Sequence, residues 1–529
     1  MRGKVVIVGV LLIVGALIAT SIGAKEDNRI TSFPLNADID KIPVKVVKLG
    51  KSMATANDGN VLVSADSEYD DVMPCITIDG NGNIVVTWTQ RQGILAGEIA
   101  YAYSSDNGQT WTSFVTELGG LLTHSDISWQ DCPTYRGLYG VYIDQLNLYM
   151  GMYTIGDVTD PTTWEISYWT SEIEDPIYAC VADNTYLEGQ YYDIDGPACM
   201  YIYHEIYDVY DIPACPCQMI ADLSEGSGEL TFDGQSHLVT APANNPDMAG
   251  VNMDVHYVWD YYNATLEKYQ IVWKKIIPVE GDTDSTDIEF TPYQEYIDTG
   301  RDPAISKSGD NVVIVYMNND NVYGDWDIKC AYSNDDGATW SISTVVEEHI
   351  VDEMHPDVYV VGNNVYVAYI SNGNLYLVKS KDGGATWGEP EQVNDVDGTV
   401  VAAEGAVDIC SKGIVWVDNR NGNNDIYFAT LPAPIITLSI TGGFGVKANI
   451  CNEGTEAAEN LAWSVDLSGL IFVGKHAEGT IDVLNPGECQ NVGPGLVFGF
   501  GPTTITVNAG GTTATAKGFV LGPLVLGVS

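Results

Sequence analysis

The chain has 529 residues, with 23 Lys and Arg against 72 Asp and Glu, and a formal net charge of −49 at pH 7. This acid excess excludes a nucleic-acid partner, because nucleic-acid binders need clustered basic side chains, and the length predicts more than one domain. An acidic surface attracts cations, so calcium is a candidate bound ion. The sequence contains no feature that requires a cofactor.

The first 24 residues have the order of an export signal. A basic start, MRGK, precedes the apolar run VVIVGVLLIVGALIA and a small-residue stretch that ends at Ala24. This order predicts a signal peptide at 1–24 and a linker at 25–43. The alternative is a retained anchor, because the apolar run nearly has the length that a bilayer requires. Both place the chain outside the cell, secreted or at the cell surface, and cleavage leaves no transmembrane domain.

One type of strand recurs seven times between residues 83 and 420. Each copy alternates with period two, is rich in β-branched and aromatic residues, and predicts a β-strand. The copies are NIVVTWTQR, LNLYMGMYTI, ACMYIYHEIY, DVHYVWDYY, NVVIVYMNND, NVYVAYISNG and KGIVWVDNR. Units of 45–60 residues with about four strands each predict an all-β, seven-bladed β-propeller. Six blades are the alternative, because the stretch 120–295 is irregular. The strand PVKVVKL at 43–49 is predicted to complete the last blade.

Three units contain the same turn: YSSDNGQTW at 103–111, YSNDDGATW at 332–340 and KSKDGGATW at 379–387. The Asp can accept backbone N–H groups, the Gly permits a positive φ, and the Trp can pack between sheets. We therefore interpret these residues as structural. They are Ser104, Asp106, Gly108, Trp111, Ser333, Asp335, Gly337, Trp340, Ser380, Asp382, Gly384 and Trp387. The alternative is that the turn carboxylates hold calcium or sugar.

These turns resemble the Asp-box (BNR) repeats of sialidases and related β-propellers, over roughly residues 44–432. The resemblance implies a sialidase-like fold with the turns on the bottom rim. Residues that precede the first strand of each blade, or follow the second, then gather on the opposite, top face. The ligand-binding candidates on that face are Arg91, His204, Arg301, His355 and Arg420.

The resemblance also implies a sialidase chemistry. Three arginines would clamp a carboxylate, a Tyr activated by a Glu would be the nucleophile, and an Asp would be the acid/base. The catalytic candidates are Glu205, Asp260, Tyr261 and Glu404. Two features depart from the family: its Arg-Ile-Pro motif opens the first blade, whereas the echo here, Arg301-Asp302-Pro303, lies in the fifth unit and contains an acid.

The chain after LPAP at 431–434 differs in character. Short strands separated by NEGT and LNPGE resemble the CARDB-like, immunoglobulin-like β-sandwiches of exported prokaryotic proteins, which act as spacers or display modules. The domains are thus the propeller at 44–432 and the sandwich at 433–529. The resemblance implies a disulfide between Cys451 and Cys489, and ten cysteines fit an oxidising compartment.

The leading prediction is recognition of an extracellular glycan or protein, because tyrosines crowd the stretch 185–215 and suit both partners. The alternative is a glycoside hydrolase of exo-α-sialidase type. A structural surface-layer component is the second alternative.

Overall fold

The computed structural model describes residues 46–53, 59–65, 68–93, 95–131, 136–147, 149–170, 174–187, 196–205, 215–222, 231–237, 243–251, 254–275, 295–347, 350–510 and 512–528. The predicted signal peptide and linker lie outside these residues. Within them, the only helical element is a single 3-10 turn at Pro161–Thr163. No helix in this part of the chain is long and apolar enough to cross a bilayer.

Seven antiparallel sheets account for the strands up to residue 430. The first contains β1 (Val46–Met53), β3 (Asp70–Ile78), β4 (Ile84–Gly93), β5 (Ala96–Ser104) and β6 (Thr110–Thr116). The second contains β7 (Leu122–Asp131), β8 (Arg136–Asp144), β9 (Tyr149–Ile155) and β10 (Trp164–Thr170). The third contains β11 (Glu174–Leu187), β12 (Gly196–Glu205), β13 (Cys215–Asp222) and β14 (Thr231–His237).

The remaining four sheets follow the same order. The fourth contains β15 (Ala243–Val251), β16 (Asp254–Asn263), β17 (Lys268–Lys275) and β18 (Glu295–Thr299). The fifth contains β19 (Arg301–Ser308), β20 (Asn311–Asn318), β21 (Asp327–Ser333) and β22 (Ser341–Val346). The sixth contains β23 (Glu353–Val361), β24 (Asn364–Ser371), β25 (Asn374–Ser380) and β26 (Glu391–Gln392). The seventh contains β2 (Val61–Leu62), β27 (Val407–Cys410), β28 (Gly413–Asp418) and β29 (Asp425–Thr430).

The innermost strands of the sheets form a closed ring. Strand β3 contacts β7, and the contacts continue through β11, β15, β19 and β23 to β27, which contacts β3 again. Strand β24, for example, is buried along its full length because neighbouring sheets cover both of its faces. The predicted all-β propeller is therefore confirmed.

Closure of the ring differs from the prediction. The last sheet is completed by β2, in which Val61 pairs with Phe428 and Leu62 with Tyr427. The predicted closing strand at 43–49 instead contributes to β1, which pairs with β6 at the outer edge of the first sheet. There, Lys48 lies over the ring of Phe114, so β1 covers an apolar edge strand that would otherwise expose its backbone.

The repeated turns are hydrogen-bonded internally. In the turn at 332–340, Asp335 accepts bonds from the Oγ of Ser333 and from the backbone N and Oγ1 of Thr339. Equivalent bonds recur in the turns at 103–111 and 379–387. Gly337 has φ +82°, and a Cβ there would lie 2.4 Å from the Trp273 ring of the fourth sheet. This turn thus packs onto the neighbouring sheet, as a structural element does.

The strands after residue 432 form two further sheets. The smaller contains β30 (Ile436–Thr441), β32 (Lys447–Asn452) and β36 (Cys489–Val492). The larger contains β31 (Gly443–Phe444), β33 (Ala458–Leu467), β34 (Ile471–Val473), β35 (His476–Leu484), β37 (Phe498–Ala509), β38 (Thr512–Gly522) and β39 (Leu524–Leu526). Contacts of β30 with β37 and β38 show that the two sheets face each other.

The C-terminal sheets are attached to the sixth sheet of the ring. Glu456 accepts hydrogen bonds from the hydroxyl of Tyr366 at 2.8 Å and from Nζ of Lys379 at 3.1 Å. Cys451 and Cys489, the predicted pair, are joined by a disulfide between the neighbouring strands β32 and β36. The immunoglobulin-like topology and the boundary at 432/433 stay predictions.

The turn at 332–340 provides a test of the packing. We expect Gly337→Ala to cost about 2–4 kcal/mol, because the left-handed backbone and the Trp273 contact both penalise the new methyl group. Gly324→Ala is the matched control, because Gly324 has a similar φ of +77° but no atom within 4 Å of the place that a methyl group would take. Its cost should stay near 1 kcal/mol. Equal losses of thermal midpoint in calorimetry would contradict the packing role.

Candidate functional site

A cavity of about 810 Å³ occupies the centre of the ring and is lined by residues of all seven innermost strands. Its mouth lies where these strands begin. Its other end is lined by Ile436, Thr437 and Thr513 of the C-terminal sheets, which form a floor. The volume lies within the range of small-ligand sites.

The mouth is shaped by a bulge that recurs in the innermost strands. The pairing register shifts between Thr123 and Asp126 in β7, and the corresponding shift occurs in β3, β11, β15, β19 and β23. Five bulge residues have positive φ: Met73, His124, Asn245, Asp302 and His355. All five line the cavity. Bulges with left-handed residues re-aim side chains, and here they direct them into the mouth.

Just below the mouth, carboxylates link neighbouring sheets. One oxygen of Asp247 accepts the backbone N–H of Met248, and the other accepts that of Ile305 in the next sheet at 2.7 Å. The same pair of hydrogen bonds is made by three other residues, Asp126, Asp357 and Asp408. We call these four side chains the bridging carboxylates.

The bridging carboxylates bind protons tightly. Burial raises the pKa of Asp126 and that of Asp247 to about 7. Burial, followed by the charge of the hydrogen-bonded Asp408, raises the pKa of Asp357 well above its usual range. Burial also raises the pKa of Asp408.

A second group of side chains lies at the mouth itself. Glu404 and the hydroxyl of Tyr178 are hydrogen-bonded. Burial, followed by the negative charge of Asp302, raises the pKa of Glu404 to about 7. His355 Nδ1 lies 2.6 Å from Oδ2 of Asp302. We call Tyr178, Asp302, His355 and Glu404 the mouth cluster, because all four line the cavity.

Asp260 supports this cluster from behind. Its side chain is fully buried and accepts bonds from the backbone N of Asp302 and from the amides of Asn244 and Asn245. Burial raises the pKa of Asp260 to about 6, although Arg301 nearby opposes the rise. Asp260, a predicted catalytic residue, thus positions Asp302 and is not among the described residues that line the cavity.

The tyrosine beside Glu404 is Tyr178, which was not among the predicted site residues. Tyr178 contacts Glu404, whereas the ring of Tyr261 lies 6.3 Å from that of Tyr296. His204 and Glu205 end strand β12, paired with Asp175 and Glu174, and their side chains lie outside the described part of the structure.

The structure gives the surroundings of the three arginines that were predicted for the top face. Arg420 donates to Asp418 and Asp395 and stacks on the Tyr427 ring. Arg301 stacks on the Tyr269 ring, 4.2 Å from its centre, and lies 3.9 Å from Asp260. Arg91 is exposed. Burial, followed by the positive charge of Arg91, lowers the pKa of His124 to about 4. None of the three arginines lines the described part of the cavity.

One cluster outside the mouth contains metal-ligand residue types, namely Asp254, His256 and Asp336. Lys275 and Lys307 form ion pairs with both of its carboxylates. Two ammonium groups therefore already balance the two negative charges. These contacts join the fourth and fifth sheets, and we assign the cluster a structural role.

Sequence reasoning missed Tyr178, His124 and the four bridging carboxylates. The latter carried a signal: Pro246-Asp247-Met248 and Pro356-Asp357-Val358 repeat the pattern Pro-Asp-apolar at the start of innermost strands. The residue before the proline is the left-handed bulge residue in both cases. Tyr178 follows no such repeat and had no comparable signal.

No protein-family model matches the chain, and no curated protein matches it. Among solved structures, it is similar to the GH93 α-L-arabinofuranosidase of Fusarium graminearum, with 12% identity over 59% of this chain and 92% of that one, and a TM-score of 0.38. The chain is also similar to a mutant of Trypanosoma rangeli sialidase displaying trans-sialidase activity, with 9% identity over 92% of this chain and 89% of that one, and a TM-score of 0.34. A third similar structure is the β-propeller domain of the Trilobed protease from Pyrococcus furiosus, with 10% identity over 68% of this chain and 92% of that one, and a TM-score of 0.38. Such low values leave the chemistry to this chain's own residues.

The bridging carboxylates predict an unusual dependence of stability on pH. Because their pKa is raised in the folded state from the usual value of about 3.9, they stabilise the fold fully only below that value. This stability is lost as the pH rises through about 7. We therefore expect the thermal midpoint, measured by calorimetry at constant ionic strength, to fall steadily between about pH 5 and pH 8.

Two variants isolate the cause of this fall. Asp247→Asn cannot titrate, so its midpoint should be lower overall but should fall less with pH. Asp335→Asn is the control, because hydrogen bonds from Thr339 and Ser333 lower the pKa of Asp335 and keep it ionised throughout this range. A midpoint that rises from pH 5 to pH 8, or a slope that is the same in all three proteins, would contradict the assignment.

Proposed function

We propose that this chain is an exported propeller that recognises glycans through the mouth cluster. One observation carries the proposal: Glu404, Tyr178 and the Asp302–His355 pair line the same open cavity. With its pKa near 7, Glu404 both donates and accepts hydrogen bonds around neutral pH. Sugar hydroxyls require donors and acceptors side by side, and this cluster provides both.

The charges at the mouth favour a neutral sugar. Two carboxyl groups, Glu404 and Asp302, line the mouth, with Asp260 directly behind them. Arg420, which an anionic sugar would need, is already bound to two carboxylates of the chain, and Arg301 lies 3.9 Å from the carboxylate of Asp260. A concave site also suits a sugar better than a flat protein surface does.

A neutral-glycan hydrolase is the second candidate, favoured by the raised pKa of Glu404. A general acid works best when its pKa lies near the working pH, and glycoside hydrolases pair such an acid with a second carboxylate. Asp302 has the required type, and its negative charge contributes to the raised pKa of Glu404. The sialidase type itself has no support from the described arginines.

Glu404→Gln separates the two candidates. Glutamine keeps a hydrogen-bond donor and an acceptor but cannot transfer a proton. If the site only recognises glycans, wild-type binding on a glycan array should weaken as the pH rises through about 7, and the variant should bind equally at pH 6 and pH 8. If the site hydrolyses them, turnover of chromogenic neutral glycosides should fall by about 10²–10⁴-fold in the variant.

Glu391→Gln is the matched control, because Glu391 is exposed in β26 and does not line the cavity. It should leave both binding and turnover unchanged. Tyr178→Phe removes the hydroxyl that contacts Glu404 and should weaken binding. If no neutral glycan binds wild type, or if binding is unaffected by both mouth variants, the proposal is wrong.

A further inference from the structure

The larger C-terminal sheet has an outer face whose character changes along its length. On β37, the outward side chains are Thr504, Thr506 and Asn508 at one end but Phe498, Phe500 and Pro502 at the other. On β38, Thr515 and Lys517 face outward at the first end, and Phe519 and Leu521 at the second. A solvated sheet face normally carries polar residues throughout, so the apolar half is unusual.

The apolar residues are contiguous, because they are cross-strand neighbours. Phe500 pairs with Leu521, which pairs with Leu524, which pairs with Phe444. We define the distal apolar face as Phe444, Val473, Phe498, Phe500, Pro502, Phe519, Leu521, Leu524 and Leu526. Phe444 is 70% exposed and Phe500 57%.

The size of this face matches a stable interface. Aromatic side chains carry about 150–250 Å² each, so four half-exposed rings supply roughly 400 Å². The aliphatic side chains beside them bring the face toward the roughly 800 Å² per partner that specific interfaces bury. Monomers rarely expose so much contiguous apolar surface without a partner.

The local charge distinguishes among partners. Residues 491–529 contain no Asp or Glu and one Lys, although the whole chain carries 72 acidic residues. Two identical faces can therefore meet without bringing carboxylates together. An anionic membrane would need a surrounding cluster of Lys and Arg, which this segment lacks.

The position of the face keeps the acidic rings apart. The turn between β37 and β38 reaches the propeller, because Gly510 lies against Val361 and Thr513 lines the cavity floor. From that turn the strands run about 30 Å to Phe500, at about 3.3 Å per residue. Two chains joined at their distal faces thus place their propellers, with most of the charge, at opposite ends.

We propose that the distal apolar face binds the same face of a second copy of this chain and forms a two-fold dimer. The two sheets pack face to face as in a β-sandwich, with Phe500 and Phe519 in the buried centre. The rings of these two residues already form an edge-to-face pair, 5.7 Å apart, within one chain. The dimer does not depend on what the mouth cluster binds.

Sedimentation velocity of the full chain, secreted and free of detergent, tests the proposal over a wide protein concentration range. We expect wild type to sediment as a discrete dimer. Leu521→Lys should weaken dimerisation by at least about 100-fold, because two ammonium groups would be buried near the two-fold axis. Thr515→Lys is the matched control on the same face of the same strand, and it should leave the dimer unchanged.

Three outcomes would overturn the proposal. The first is a wild-type monomer at the highest concentration, and the second is open-ended aggregation in place of a dimer. The third is an equal loss of dimer in both lysine variants. A parallel experiment measures binding of the protein to neutral and anionic phospholipid vesicles. A monomer that binds vesicles through Leu521 would assign the face to a membrane instead. Circular dichroism and the thermal midpoint confirm that each variant is folded.

Discussion

In the part of the ring that the structure describes, no ladder joins the innermost strands of neighbouring sheets, and side chains supply polar links between them. The bridging carboxylates do this with one oxygen on their own strand and the other on the next sheet. Cys75 occupies the equivalent place in the first sheet, where its sulfur accepts from the backbone N of Ile127. Because Asn245 and His355 lie two residues before Asp247 and Asp357, the same bonds that align the sheets also fix the side chains of the mouth.

The hydrogen bonds that align the sheets require buried carboxyl groups, although burial is unfavourable for an ionised carboxylate. Burial disfavours the ionised form of these carboxylates and raises the pKa of Asp126, with a smaller contribution from the negative charge of Asp408. Glu404 lines the same cavity, and burial followed by the negative charge of Asp302 raises its pKa to a similar value. The proton-binding property of the mouth is thus a by-product of how the ring is held together.

The parts of the fold that could be predicted are those that a short stretch of sequence specifies by itself. Each middle strand is a continuous apolar run, and each repeated turn contains its own hydrogen-bond partners, so both are recognisable without knowledge of the rest. The closing strand was misassigned because two short apolar segments near the N-terminus compete for two sheet edges, and β2 is only two residues long. Glu404 was identified from its place before an innermost strand. Tyr178 was not, because its contact with Glu404 spans the ring and depends on a bulge that no sequence pattern marks.

Closure by β2 also sets a timetable for synthesis. Ser64 accepts a hydrogen bond from Ile426, 362 residues away along the chain. At about 5–20 residues per second, β2 waits roughly 20–70 s before its partner strand β29 exists. During that interval the ring is an open arc with two unsealed ends, each able to pair with another nascent arc. Export that delays folding until the whole chain has been delivered would remove this interval, and the ring would then close in a single event.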